Sequence, residues 1–239
     1  MQRLSTCPIC HQTNLSTFLS CKDHTVSHET FTLEQCQHCG FVLTNPQPDP
    51  NELPAYYQSE SYISHSNKST NIVDSVYKLT RYLTLKWKHK LILQHSTKPP
   101  ISVLDFGCGT GGFLAECKKH NLTIAGVEPS PDARQIATKR TGTAIKPSLH
   151  HIQGPYDVIT LWHVLEHVTD LNGTIEQLRK ILAENGTIFI ALPNLNSPDA
   201  SNYKQHWAAY DVPRHLWHFS RKTLHMLLSK HQLKLTTTI

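Results

Sequence analysis

Three groups of residues in this chain have the types and spacing for chemistry. The first is Val103-Leu104-Asp105-Phe106-Gly107-Cys108-Gly109-Thr110-Gly111-Gly112-Phe113-Leu114, where an apolar run ends in an acid, then in glycines at alternate positions, then in a helix-like stretch. Glycines let a turn take strained dihedrals and let a ligand come close to the backbone. A helix start behind them offers unpaired N–H groups. Turns of this kind hold nucleotides, and nicotinamide and flavin folds use one as well. The second group is Leu122-Thr123-Ile124-Ala125-Gly126-Val127-Glu128, an apolar stretch ending in a carboxylate. An acid at that place can accept both ribose hydroxyls of a nucleoside. The third is a pair of identical spacings, Cys7-Pro8-Ile9-Cys10 and Cys36-Gln37-His38-Cys39. Four thiolates complete a tetrahedral zinc site, and the alternative is four reduced thiols in a small module. Cys21, His11 and His24 sit off the spacing as substitute ligands. The chain has seven cysteines and no apolar signal core at Met1-Gln2-Arg3-Leu4-Ser5-Thr6-Cys7, which favours metal over disulfides.

The dinucleotide fingerprint is G-x-G-x-x-G. This chain reads Asp105-x-Gly107-x-Gly109-x-Gly111, with an acid two residues before the first glycine. The segment resembles motif I of class I S-adenosylmethionine (SAM) dependent methyltransferases, and the resemblance covers residues 101–232. It implies that Gly107, Cys108, Gly109, Gly111 and Phe113 border the cofactor, that Asp105 orients its ammonium and that Glu128 takes its ribose diol. Pro129 and Ser130 would border the adenine. The acid often found after the third strand is replaced by Lys146-Pro147-Ser148-Leu149-His150-His151. Trp162-His163-Val164-Leu165-Glu166-His167-Val168 resembles a variant found in a broad group of quinone, sugar and natural-product methyltransferases. That likeness implies that Trp162 and His163 line the methionine end, with His163 also a candidate for catalysis. Glu166 and His167 face the acceptor or form a structural pair. The Pro213-Arg214-His215 run before Phe219-Ser220 resembles the same group, which makes His215 the candidate base and Arg214 a candidate holder of an anionic acceptor. A cysteine module followed by a Pro- and Tyr-rich linker is similar to sugar C-methyltransferases, which carry a further carboxy-terminal domain.

The elements that must position these groups follow from periodicity. Asn71 to His95 reads as a long helix, with Ile72, Val76, Leu79, Leu83, Trp87 and Leu91 near helical spacing and Pro99-Pro100 as its stop. Strands are expected at 102–106, 123–127, 143–145, 157–162, 187–192 and 233–239. Helices are expected at 112–120, from Pro131 through 139, at 172–183 with Asn185-Gly186 as the stop, and from the Ser220 cap to Lys230. Such alternation means an α/β fold with a Rossmann-like, doubly wound, mostly parallel sheet. A ligand would then bind at the carboxyl ends of its strands. The sheet of the resembled class ends in an antiparallel hairpin, of which only the first strand is expected here. The loop Trp207–Ser220 is rich in aromatic and polar side chains, as small-ligand pockets are.

The expected division is a zinc module at residues 1–45, a Pro- and Tyr-rich linker with a helix at 46–100, and a SAM-binding domain at 101–239. Tyr56, Tyr57 and Tyr62 in the linker line a pocket or pack it. The chain has 239 residues, 38% of them hydrophobic, and a net charge of +5 with histidine neutral. No apolar run reaches the ~20 residues of a membrane span, and a cytoplasmic location is expected. The likeness implies SAM as cofactor and a small-molecule acceptor such as a sugar or glycan precursor, and the paired cysteine spacing implies zinc. An RNA methyltransferase whose zinc module grips nucleic acid is the alternative. Against it, residues 1–45 hold only Arg3 and Lys22 as fixed cations, and a phosphate-gripping surface needs several. A non-catalytic scaffold would not need the glycines and Glu128.

Overall fold

The computed structural model describes residues 1–57 and 72–239, apart from the side chains of residues 72–79. Tyr62 and the Asn71 start of the long helix lie outside the described residues. In chain order the strands are β1 (Leu15–Lys22), β2 (Thr30–Cys36), β3 (Val42–Thr44), β4 (Ser102–Phe106), β5 (Thr123–Val127), β6 (Tyr156–Trp162), β7 (Leu182–Ala191) and β8 (Trp217–His218). The helices are α1 (Ile72–His95), α2 (Gly112–Lys119), α3 (Pro131–Thr141), α4 (Leu171–Ile181), α5 (Pro198–Tyr203) and α6 (Arg221–Lys230). They divide into two compact units that interleave along the sequence. One comprises Met1–Asn67, Leu165–Ile175 and Leu192–Ile239; the other comprises Lys68–Val164 and Glu176–Ala191. A linear division at residues 45 and 100 does not anticipate that interleaving.

The second unit holds a parallel sheet of order β5-β4-β6-β7. Register pairs Asp105 with Gly126 on one side and with Thr160 on the other. Val103, Leu104, Val158, Ile159 and Leu161 are fully buried, as near-continuous apolar strands of a parallel sheet must be. Leu114 and Cys117 of α2 and Ala137 of α3 pack with Val103, Ile124 and Val158 in one core. Helix α3 begins as the sequence reads. Ser130 accepts the Ala133 N–H, Pro131 takes the first turn, and Gly142 closes the helix at φ 64°.

Two edges of this sheet differ from expectation. The strand expected at 143–145 is not formed; only Lys146 bridges to Val127. Four residues between the Gly142 cap and Pro147 leave no room for a ladder. A cleft of about 430 Å³ opens beside β5, lined by Ile124, Ala125, Gly126, Thr143, Lys146 and Tyr156 among others. Asn185-Gly186, expected to end α4, instead lies within β7. Helix α4 stops at Ile181, Leu182 already pairs with Tyr156, and regular pairing resumes at Thr187 opposite Val158. Asn185 at φ 62° sits in the irregular stretch between those pairs, so its αL tolerance serves a bulge rather than a cap.

The first unit holds a second sheet, β1-β2-β3-β8, antiparallel throughout. Its last strand comes from the segment expected as loop: Trp217 and His218 pair with Leu43 and Val42. Phe31, Leu33 and Val42 share a core with Tyr210 and Val212, so the apolar residues of the cysteine segment do not form a core alone. Phe18 of β1 is 38% exposed. Ser220 and Thr223 form a reciprocal capping box at the start of α6. The segment 233–239, expected as a strand, has no ladder partner among the described residues and takes no strand conformation, because period-two patterning needs a neighbour to bond with.

Candidate functional site

The carboxyl ends of β4 and β5 carry the glycine turn and Glu128. The turn is pinned to the neighbouring strand, with Gly107 N and Cys108 N both donating to Val127 O at 2.8 and 3.0 Å. Glu128 is fixed by two backbone donors: Gly109 N–H reaches one oxygen at 2.8 Å and Ser130 N–H the other at 2.9 Å. Arg134 Nη1 donates to the Glu128 and Pro129 carbonyls, both at 2.8 Å. Each carboxylate oxygen keeps a second lone pair. A diol bound in bidentate fashion fits that geometry.

The three alternating glycines are all left-handed but have different neighbours. A Cβ on Gly107 would lie 2.4 Å from Val164 Cγ2, and one on Gly111 would lie 3.0 Å from Ala137. Both are packing constraints. A Cβ on Gly109 would meet nothing within 4 Å, at φ 52°. Gly109 therefore borders open space, where a ligand can approach the backbone. Cys108 and Phe113 are buried in the core behind the turn, so their side chains support the turn from inside.

Asp105 is 2% exposed and accepts the Thr160 hydroxyl at 2.6 Å. Burial pushes its carboxyl up to about 7, against the Thr160 hydrogen bond and the Lys88 charge. Trp162 ends β6 and packs edge-on to Phe113, with ring centroids 5.6 Å apart. Lys88 of α1 sets its ammonium 4.4 Å from the Trp162 ring. In the sequence Lys88 belongs, with Arg81, Lys86 and Lys90, to the densest basic stretch, which reads as a solvated helix face rather than a nucleic-acid patch. His163 is exposed, holds φ 60° and donates its N–H to Ala191 O at 3.1 Å. A non-glycine residue in the left-handed region at a strand end marks a constrained site.

In the first unit, Glu166, His167 and His215 come together, with ligand atoms all within 4.8 Å of one another. His167 Nδ1 lies 3.1 Å from the Arg214 carbonyl and 3.0 Å from the Tyr57 hydroxyl. His215 Nδ1 lies 2.9 Å from the Ala209 carbonyl. A carbonyl only accepts, so each ring carries its proton on Nδ1 and keeps Nε2 as its basic nitrogen. The rings meet edge to face at 4.5 Å. Burial, with the charge of His215, lowers His167 to about 4. Tyr57 thus reaches a polar cluster, whereas Tyr56 packs edge-on to Phe31.

Arg214 has a different role from the one expected. It is 1% exposed and donates to Asp23 at 3.0 Å, to Asp211 at 2.7 Å and to the Tyr56 carbonyl at 2.9 Å. Burial acts against the Asp23 charge, yet Arg214 and the Ser27 and Thr25 N–H groups hold its carboxyl well below the usual range. A guanidinium so occupied is structural and does not hold an acceptor. The space enclosed among Trp207, His215, Trp217 and Phe219 is about 10 Å³, room for one water.

The four spaced cysteines also converge. Cys7 and Cys39 sulfurs lie 3.6 Å apart and Cys10 and Cys36 sulfurs 3.5 Å apart, all four within 4.8 Å of one another. Each pair is wound the same way: His11 N–H returns to Cys7 O and Gly40 N–H to Cys36 O, with both donors at positive φ. Tetrahedral bonds of ~2.3 Å place sulfurs about 3.8 Å apart, which matches this spacing. Burial pushes the Cys7 thiol up to about 11, and a divalent cation would offset the hydration a buried thiolate loses. Cys21 is buried in the core, and His11 and His24 are exposed away from the four.

A family model described as a methyltransferase domain matches residues 79–238. The chain belongs to that methyltransferase family. The malonyl-acyl-carrier protein O-methyltransferase of Halalkalibacterium halodurans is 29% identical over 148 residues, 53% of this chain and 52% of that protein. The ubiquinone biosynthesis O-methyltransferase of Vibrio parahaemolyticus is 32% identical over 105 residues, 39% of this chain and 44% of that protein. The chain spans about half the length of these two curated relatives. Among solved structures, the SAH-bound magnesium protoporphyrin IX methyltransferase from Synechocystis PCC 6803 superposes with a TM-score of 0.57 at 14% identity, covering 77% of this chain and 89% of that one. An SAH-bound plantazolicin methyltransferase gives 0.55 at 20% identity, covering 74% and 72%. These establish the class I methyltransferase fold for this family member. Among the described residues, no helix is long and apolar enough to cross a membrane.

Proposed function

We propose that this methyltransferase-family chain transfers a methyl group from SAM to a small-molecule acceptor, with a structural zinc on Cys7, Cys10, Cys36 and Cys39. The observation that carries the reading is the Gly109–Glu128 pair: a carboxylate fixed by two backbone N–H groups, beside a glycine whose outer side is open. Nicotinamide and flavin folds also grip a ribose diol, but the family match and the acid two residues before the first glycine favour a sulfonium nucleoside.

When bound, the cofactor supplies an electrophilic methyl on a positively charged sulfur that leaves readily. The residues of this chain then have three tasks. Glu128 holds the diol. Asp105, Trp162 and His163 border the methionine end, and Pro129 the adenine. His215 is the candidate base for an acceptor that must lose a proton, with Nε2 basic and the Nδ1 proton anchored on Ala209 O. Lying 3.8 Å away, Asp211 Oδ2 stabilises the ring once it is charged. Methyl transfer from a sulfonium needs little else beyond alignment and exclusion of water.

The test combines labelled SAM with panels of sugar nucleotides, glycan precursors and other small metabolites, with RNA as the contrasting substrate. Label in a small molecule, reduced at least tenfold by His215→Ala with SAM affinity retained, supports the reading; label in RNA alone overturns it. Metal analysis is expected to give about one zinc per chain, and zinc-free protein that keeps a folded β1–β3 region would overturn the structural role.

A further inference from the structure

Helix α1 carries an apolar face that the fold leaves uncovered. Leu83, Trp87 and Leu91 share the spacing of one stripe, yet only Leu91 is buried. The inner side of the helix is formed by His89, Leu91 and Ile92, with Leu85 and Lys88 half-buried. On the outer side Tyr82, Leu83, Trp87 and Leu93 are 45, 54, 52 and 48% exposed. At about 100° per residue these four fall within one arc of about 140°, and Lys86 and Lys90 lie between them on that arc. Lys86 Nζ sits 4.4 Å from the centre of the Tyr82 ring. A single apolar residue on a surface is ordinary, but four on one helix face make a patch.

The charges narrow what this patch meets. From Arg81 to His95 the helix holds Arg81, Lys86, Lys88 and Lys90 and no acid. Arg81 and Arg140 of α3 meet on the Thr110 hydroxyl at 3.0 and 2.9 Å, so positive charge continues past the helix. Glu116 of α2, the acid in the field of Lys86, is held by Lys119 at 3.1 Å. A second copy docked through this face would bring like charges together. RNA would match the cations but has no use for two exposed leucines. An anionic lipid surface matches both: its phosphates attract the lysines, and the leucine, tryptophan and tyrosine side chains enter the boundary between headgroups and acyl chains. We propose that the outer face of α1 docks this chain on an anionic lipid surface. The helix lies in the plane of that surface, with Ile92 still in the core of the parallel-sheet unit. Docking of this kind goes beyond the methyl transfer proposed above and does not depend on it.

Sedimentation of the zinc-loaded full chain with lipid vesicles tests the proposal. The vesicles are phosphatidylcholine alone, or phosphatidylcholine mixed with phosphatidylglycerol. Binding to the mixed vesicles is expected to be about tenfold stronger or more, and to weaken steeply with added salt. Lys86→Gln combined with Lys90→Gln should cost about tenfold on the mixed vesicles, and Leu83→Gln combined with Trp87→Gln about as much. All four side chains are exposed, so circular dichroism and the unfolding temperature should match wild type. Brominated acyl chains should quench the tryptophan fluorescence of bound wild type. Trp87→Phe should keep the binding and lose most of that quenching, which separates Trp87 from Trp162, Trp207 and Trp217. No binding to mixed vesicles, binding that ignores the lysine pair, or quenching that survives Trp87→Phe overturns the proposal. So does a dimer or an RNA complex that the Leu83→Gln and Trp87→Gln pair abolishes, since the face then belongs to that partner.

Discussion

At the scale of single residues, the motif glycines are not equivalent, although the sequence shows them as one pattern. Gly111 faces Ala137 and Gly109 faces open space, so their substitutions should fail in different ways. Gly111→Val is expected to clash with α3 and lower stability by about 2–4 kcal/mol, from overpacking plus a left-handed β-branched residue. Gly109→Arg adds only about 1–2 kcal/mol of backbone strain and fills the crevice, so SAH binding should be lost while urea denaturation shifts little. A Gly109→Arg protein that still binds SAH would displace the pocket. The same contrast shows what the sequence could and could not disclose. Asp105, Glu128 and the four cysteines are legible because spacing alone brings them to one strand end or one knuckle. Arg214 misled, because a sequence does not show that Asp23, so far away along the chain, supplies its partner. Lys88 was misread for the opposite reason: a lysine on a basic helix looks solvated until the Trp162 ring is placed beneath it.

At the scale of elements, β4, β5 and β6 were readable to within one residue, and β7 only from Thr187 onward. Each is an apolar run bounded by glycine, proline or acid, and burial on both faces leaves little else for such a run to do. The misreadings fall where pairing depends on distant partners. Strand β8 needed β3, the 143–145 stretch lacked length, and 233–239 lacked a neighbour. Buried titratable groups give the two units opposite responses to acid. Asp105 has a folded pKa raised to about 7 from the ordinary 3.8. Between about pH 4 and 7 the folded state keeps a proton that the unfolded state has lost, so this group's contribution falls as pH rises. His167, lowered to about 4 by burial and His215, and His218, lowered to about 3 by the same causes, act the other way. Their contribution is lost as pH drops below the ordinary 6.5. Asp105→Asn is therefore expected to stabilise the protein more at pH 8 than at pH 4.5 in urea denaturation. A difference that does not change with pH would remove the buried-acid account.

At the scale of the whole molecule, the chain interleaves two units in sequence, one with the parallel sheet and glycine turn, the other with the cysteine cluster and the histidine pair. Segments 165–175 and 192–239 belong with residues 1–67 rather than with the strands that flank them. The sequence pattern gave no sign of this, because β8 is two residues long and its pairing with Val42 and Leu43 has no periodic signature. The functional account rests mainly on the parallel-sheet unit. Its most direct test is a crystal structure of the protein grown with SAH. The account expects one SAH per chain at the carboxyl ends of β4 and β5, with both ribose hydroxyls on Glu128 and Gly109 against the ligand. A crevice that stays empty at saturating SAH, or a nucleoside bound away from Glu128, would contradict it.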